Sequence, residues 1–183
     1  MSKKIPTIIG ITAASSGTGK TTLIEKLIPD LLQKNINVSV VKHAHHNFDI
    51  DHPGKDSYRL RKSGAFQTLI FNNKRSALIT EFTQESENLE KMIAQMDPWV
   101  DLIIVEGLRG GEFKKIEVYR QAHSKKKLFL QDENVIALVS DEQFDASVPC
   151  LNLNNIEEIS PVSYTHLRAH ETKANLVCRL LLE

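Results

Sequence analysis

The sequence predicts an α/β fold of three layers, built around a mostly parallel central sheet. Three observations predict it. Apolar runs of strand length alternate with segments of helical spacing. The run Leu102-Ile103-Ile104-Val105 is too uniformly apolar for a half-exposed strand, so it belongs at the centre of a parallel sheet, covered on both faces. Finally, Ala13 to Thr22 reads Ala-Ala-Ser-Ser-Gly-Thr-Gly-Lys-Thr-Thr between a strand pattern and a helix pattern. A strand, a glycine loop ending Gly-Lys-Thr and a helix make a phosphate cradle: small residues let backbone N–H groups curl around an anion at the positive end of a helix dipole. The expected fold is therefore that of the P-loop NTPases, with ligand groups at the carboxyl ends of the strands.

Taken in order, Ile5 to Thr12 is the first strand, and the loop that follows carries the candidate nucleotide-binding residues Gly17, Thr18, Gly19, Lys20, Thr21 and Thr22. Lys20 would reach the terminal phosphates and the Thr21 hydroxyl would ligate Mg²⁺. The usual first glycine of the motif is Ala14 here, which predicts a corner of right-handed or extended backbone. Leu23 to Leu32 has apolar positions at helical spacing, with Pro29 as a kink or early stop. Asn37 to Val41 is a second strand, Ala65 to Phe71 a third and Ser76 to Thr80 a fourth. Glu85 to Met96 reads as a helix with Leu89, Met92, Ile93 and Met96 on one face. After the central strand, Ile116 to Tyr119 and Val135 to Val139 supply two more.

Several polar groups follow strand ends. Lys42-His43-Ala44-His45-His46-Asn47-Phe48-Asp49-Ile50-Asp51, then Gly54-Lys55-Asp56-Ser57-Tyr58-Arg59-Leu60-Arg61, bring three histidines and several acids into one stretch. No helix or strand spacing fixes a ligand geometry there, so a mobile loop is a better expectation than a zinc site. Such a loop would meet phosphate or Mg²⁺, with Asp49 or Asp51 near the metal and Lys42 near an anion; a plain solvated loop is the alternative. Glu106 closes the apolar run of the central strand, where a P-loop protein needs a carboxylate for Mg²⁺, and is the candidate for it; a cap on the turn at Gly107 is the alternative. Arg109 lies in a basic segment open to anions or serving as plain surface. Asp141 ends another strand, where an aspartate could accept the N1 and N2 protons of guanine; the usual Asn-Lys-x-Asp signature is absent, so motif chemistry alone leaves the base open.

With 183 residues the chain suits one domain, and Lys plus Arg balances Asp plus Glu at 23 each. That balance gives no argument for nucleic acid or a membrane as partner. No apolar stretch approaches a transmembrane length and the start lacks a signal-peptide core, so a soluble cytoplasmic protein is expected. Cys150 and Cys178 are too few for a disulfide framework or a zinc site.

The end of the chain does not match the rest. Pro161 to Thr172, Pro-Val-Ser-Tyr-Thr-His-Leu-Arg-Ala-His-Glu-Thr, resembles the translation of a transposase-type sequencing adapter, and Leu176 to Glu183 resembles its usual continuation. A variable index would fall between them, at Lys173, Ala174 and Asn175. The expectation is a P-loop domain over residues 1–160 and an adapter-derived, non-native stretch over 161–183, with native residues missing after Ser160. A real amphipathic helix using Leu176, Leu180 and Leu181 is the alternative.

The P-loop, Val41-Lys42-His43-Ala44-His45-His46, Asp51-His52-Pro53-Gly54-Lys55-Asp56-Ser57-Tyr58, Arg61-Lys62-Ser63-Gly64-Ala65 and Asp101 to Gly107 together resemble the molybdopterin-guanine dinucleotide biosynthesis adaptor family, MobB. Order and spacing agree from about Ile5 to Ser160. The resemblance implies a homodimeric GTP-binding adaptor with weak GTPase activity that assists the guanylyltransferase MobA in attaching GMP to molybdopterin. It also implies that Gly17 to Thr22 hold phosphates and Mg²⁺, that Glu106 completes the metal environment, and that His43 and the Asp49 to Ser57 loops face the nucleotide or the pterin cofactor. Two rival classes remain. A small-molecule kinase would need a general base, with His43 or Asp56 available, and a metallochaperone GTPase would use the histidine loop.

Overall fold

The computed structural model describes residues 6–44, 48–83, 88–97, 99–123 and 126–164. It divides into two compact units, the first made of residues 1–43 and 96–183 and the second of 44–95.

The first unit is built on six strands: β1 (Thr7–Thr12), β2 (Val38–Lys42), β5 (Leu102–Glu106), β6 (Lys115–Tyr119), β7 (Val135–Ser140) and β8 (Cys150–Asn152), ordered β2-β5-β1-β6-β7-β8. Every pairing is parallel. The apolar run at 102–105 is central as expected: all five residues of β5 are buried between β1 and β2. One sheet face presents Ile9, Ile11, Leu102, Ile104, Ile116, Val118, Ala137 and Val139 to a single core. Helix α1 (Lys20–Gln33) closes that core with Leu23, Ile24, Leu27 and Leu31, one apolar stripe at helical spacing, each side chain worth about 1.5–3 kcal/mol when fully buried.

Pro29 neither stops nor shortens α1, which runs on to Gln33. The ring lies on the exposed side of the helix, and burial of Leu31 beyond it offsets the missing N–H. Past the Lys34 cap the chain turns away at Asn35, whose φ of 58° lets Asn35 N–H reach Leu32 O and Ile36 N–H reach Leu31 O, both at 3.0 Å. Directly after it, the Asn37 carbonyl accepts from the Asp101 and Leu102 amides, which sets β2 beside β5.

The opposite face buries Ile103, Val105 and Leu138, and also Lys115 and Glu117. These charges are buried because each is answered: Lys115 Nζ donates to Asp132 at 2.7 Å, and Glu117 accepts the Leu128 and Phe129 amides at 2.8 and 2.9 Å. That anchors the 3₁₀ turn Leu128–Leu130. Burial pushes the Glu117 carboxyl up, against the pull of those two amides. The strand β8, the 3₁₀ turn and a closing helix, α4, over 156–164 have no counterpart in the sequence expectation. Within α4, Ile159 joins the core and Val162 and Tyr164 pack against it; residues 165–183, including Leu176, Leu180 and Leu181, lie outside the described residues.

The second unit contains α2 (Asp56–Lys62), α3 (Leu89–Ile93) and the antiparallel pair β3 (Gln67–Phe71) and β4 (Ser76–Thr80). The third and fourth strands therefore exist as expected, but as a separate two-stranded sheet. The predicted helix 85–96 shrinks to a short α3 capped by the Asn88 side chain, which accepts from Lys91 N–H, and 84–87 fall outside the described residues. Its expected apolar face, Leu89, Met92, Ile93 and Met96, is only half-buried. Residues 56–61, expected in a mobile loop, belong to helix α2: Asp56 sits in its first turn and Arg59, Arg61 and Lys62 in its last, in accord with the helix dipole. Among the described residues no helix is long and apolar enough to cross a membrane.

Candidate nucleotide site

The site grows from two adjacent parallel strands. In the β1–β5 register Ile11 faces Glu106, so the loop after β1 and the carboxylate ending β5 emerge side by side. Gly17 and Gly19 take φ of +75° and +99°, a backbone that side chains rarely adopt, and Gly19 caps α1 with its carbonyl accepting Leu23 N–H at 2.9 Å. Among the described residues Asn35 is the one non-glycine with positive φ, so the corner at Ala14 is of the ordinary kind expected of alanine. The loop thus turns its amides without the first glycine.

Around it the side chains converge. Thr21 Oγ1 donates to Glu106 Oε1 at 2.6 Å, and Lys20 Nζ donates to the Ser15 carbonyl at 3.3 Å. Burial pushes the Lys20 ammonium below its ordinary value; Glu106 opposes that, and Arg109 and Lys42 add to it. Glu106 is only 7 % exposed, and its second oxygen lies 3.6 Å from Lys42 Nζ. The carboxylate thus meets Thr21 with one oxygen and Lys42 with the other. His43 N–H donates to the Glu106 carbonyl at 2.9 Å, extending the β2 edge to the site.

These residues fit a polyphosphate with a hard divalent cation. Two positive-φ glycines open the loop, an ammonium is held over it, and a hydroxyl and a carboxylate stand within hydrogen-bond distance as oxygen ligands. Thr18, fully buried, has a hydroxyl without a hydrogen-bond partner, and Thr22 is exposed on the first turn of α1. Arg109 is exposed, and its Nη2 donates to the Ala14 carbonyl at 2.9 Å. Asp141, ending β7, faces Arg120 Nε at 3.8 Å.

The second unit holds the other predicted residues. Arg61, on α2 and 7 % exposed at its side chain, is their hub. Its Nη2 donates to both Asp49 oxygens at 2.8 and 2.7 Å, its Nη1 donates to Glu81 Oε1 at 2.5 Å, and Asp51 Oδ2 lies 3.9 Å from its Nε. Hydrogen bonding from Arg61 holds the Asp49 carboxyl below its usual range. Ser57 Oγ donates to Asp51 at 3.0 Å, Lys55 precedes α2, and exposed Asp56 lies 3.8 Å from Arg59. Among the described residues no group of three His, Cys, Asp or Glu is placed to hold a metal; His45 and His46 lie outside them.

Sequence reasoning missed three residues at these sites. Arg61 stands within the family motif but takes no role from it, since its partners are spread over 49–81. Arg120 has a signal that His123 lacks: it directly follows a strand, close to the strand-end criterion that singled out Glu106 and Asp141. His123 accepts Ser15 Oγ at 2.9 Å through its carbonyl.

Comparison with known proteins identifies the family. The family model "Molybdopterin guanine dinucleotide synthesis protein B" (MobB) matches residues 8–141. The chain is 44 % identical over 152 residues to the molybdopterin-guanine dinucleotide biosynthesis adapter protein of Escherichia coli, covering 81 % of this chain and 86 % of that one. Its identity to the Haemophilus influenzae protein of the same name is 40 % over 161 residues, covering 87 % and 88 %. A crystal structure of molybdopterin-guanine biosynthesis protein B superposes with a TM-score of 0.67 at 25 % identity, over 85 % of this chain and 96 % of that one. The MobB homolog of Bacillus stearothermophilus shares the fold, with a TM-score of 0.65 at 20 % identity, over 88 % and 98 %. A P-loop on β1, its acidic partner on β5 and this extent of likeness lead to one conclusion: the chain belongs to the MobB family of molybdopterin-guanine dinucleotide biosynthesis adapters.

Proposed function

We propose that this adapter binds GTP with Mg²⁺ at its P-loop and assists the guanylyltransferase MobA in converting molybdopterin to its guanine dinucleotide, acting in the cytoplasm. The observation that carries the reading is the 2.6 Å contact between Thr21 and Glu106 beside Lys20, in a chain of this family. Amides of Gly17, Thr18, Gly19 and Thr22 and the Lys20 ammonium hold the phosphates; Thr21 and Glu106 hold the metal. Bound there, Mg²⁺ supplies charge neutralisation to the terminal phosphates. Lys42, released from Glu106, and Arg109 and His43 border the nucleotide, and Asp141 accepts from the base. Asp49, Asp51, Lys55, Asp56 and Ser57 serve the cofactor or switch role in the second unit.

Hydrolysis is slow in this reading, because none of the groups described at the cradle is placed to activate an attacking water. A kinase is disfavoured by family membership, and its candidate base Asp56 is an exposed carboxylate beside Arg59. A metallochaperone GTPase is disfavoured on the same ground. Support for a homodimer comes from the second unit, where Leu69, Ile70, Phe71 and Leu78 are exposed large apolar side chains on one small sheet. The stretch from Pro161 onward is read as adapter-derived, and finding its codons in the source locus would reverse that.

Affinity for GTP and ATP, measured with and without purified MobA and molybdopterin, tests the function. The expected outcome is preference for GTP and a ternary complex with MobA. Equal affinity for both nucleotides and no association with MobA would overturn it.

A further inference from the structure

Arg120 sits at the carboxyl end of β6, the strand beside β1, and lies against the phosphate loop. A Cβ built on Gly19 would meet its Nη2 at 3.6 Å, its Cζ at 3.9 Å and its Nε at 4.0 Å. The guanidinium therefore lies close over the last glycine of the cradle, at the start of α1. Its Nε is shielded from solvent, makes no hydrogen bond, and stands 3.8 Å from Asp141 Oδ2 on the neighbouring strand β7. The segment that follows is tied to the same loop: His123 N–H donates to the Arg120 carbonyl at 3.0 Å, and Ser15 Oγ donates to the His123 carbonyl at 2.9 Å.

The Nε and Nη2 side of the fork thus lies along the glycine loop, and its Nε also stands near the Asp141 carboxylate. A planar guanidinium with donors on both edges suits the bidentate contact that a phosphate accepts, which the point charge of Lys20 cannot make. We propose that Arg120 is a phosphate-binding residue of the cradle, positioned by Asp141, so that the grip on the polyphosphate depends on the group that also faces the base. This rests on the triphosphate reading of the P-loop given above.

The test uses inorganic tripolyphosphate, which has no base, alongside GTP, both with Mg²⁺ and both titrated calorimetrically into the full chain. Arg120→Gln is expected to weaken both ligands about tenfold, the loss of one charge-assisted contact, with Arg120→Lys falling between it and the wild type. Asp141→Asn separates positioning from bulk charge. Removing a carboxylate near an anion site strengthens anion binding by Coulomb's law alone. Positioning predicts the reverse: tripolyphosphate binds about threefold more weakly in Asp141→Asn, with no further loss when the change is made in Arg120→Gln. The proposal is overturned if Arg120→Gln and Arg120→Lys both bind tripolyphosphate as the wild type does, or if Asp141→Asn binds it more tightly. A wild-type chain that binds neither ligand overturns the P-loop reading itself, a different pattern from failure at Arg120 alone.

Discussion

In β5 every residue is buried, whereas in β3 and β4 none is. The two sheets are stabilised by different physics. The parallel sheet of the first unit is held by an apolar core in which one face of four strands meets α1. In the second unit, Arg61 gathers Asp49, Asp51 and Glu81, and the small sheet leaves Leu69, Phe71 and Leu78 more exposed than buried residues of their type. A two-stranded sheet is marginal alone in water. The difference teaches that the first unit rests on a buried apolar core, while the second rests on a charged hub and leaves apolar side chains exposed.

The comparison breaks most directly in a pair of truncations. Ile104→Ala, in the core, should cost about 2–5 kcal/mol of unfolding free energy, and Leu69→Ala, on the exposed sheet, no more than about 0.5 kcal/mol. Denaturant unfolding of both variants checks this, and equal costs would contradict it.

Next in size is a functional effect confined to the first unit. Lys20→Ala should weaken triphosphate binding about 100-fold, the order expected for a charged hydrogen-bonding group, with the melting temperature little changed. Its side chain touches the Ser15 carbonyl and adds little to the core. A large fall in melting temperature with affinity retained would assign Lys20 to the fold instead.

The smallest expected effect is one of pH. Lys20 sits below its ordinary 10.5 because of burial, so it loses its proton earlier on the alkaline side than an exposed lysine. Phosphate needs the charged form; affinity should fall as pH rises through that lowered value. The contribution of Lys20 to the stability of the ligand-free chain has the opposite sign. Between the lowered value and 10.5 the unfolded chain binds the extra proton, so stability rises with pH across that window. Calorimetry and thermal melts over the same alkaline range should therefore diverge, and parallel curves would sink the assignment.

What the sequence reveals follows the same division. Ile9, Ile11 and Leu102 to Val105 are buried on both sides of a parallel sheet, and continuous apolar runs are what such burial demands, so strands and site were legible together. Glu106 was legible because a charge at the end of such a run stands out. Helix α2 was not: its stretch is crowded with charge, and its order comes from Arg61 meeting acids 12 and 20 residues away, a pattern with no local period. Pro29 misled for a related reason, since its cost depends on which side of α1 faces solvent. Arg120 carried the positional signal of a strand end but followed a half-polar strand, Lys115 to Tyr119, whose charges are buried against partners no spacing reveals.

The central claim is that the loop from Ala14 to Thr21 grips a nucleoside triphosphate with a metal shared by Thr21 and Glu106. Calorimetric titration of GTP into the wild-type chain, with and without Mg²⁺, tests it most directly. Saturable heat at one nucleotide per chain, with affinity strengthened by Mg²⁺ in the wild type and indifferent to it in Glu106→Gln, is the predicted result. No heat from well-folded protein with GTP and Mg²⁺ present would contradict the account.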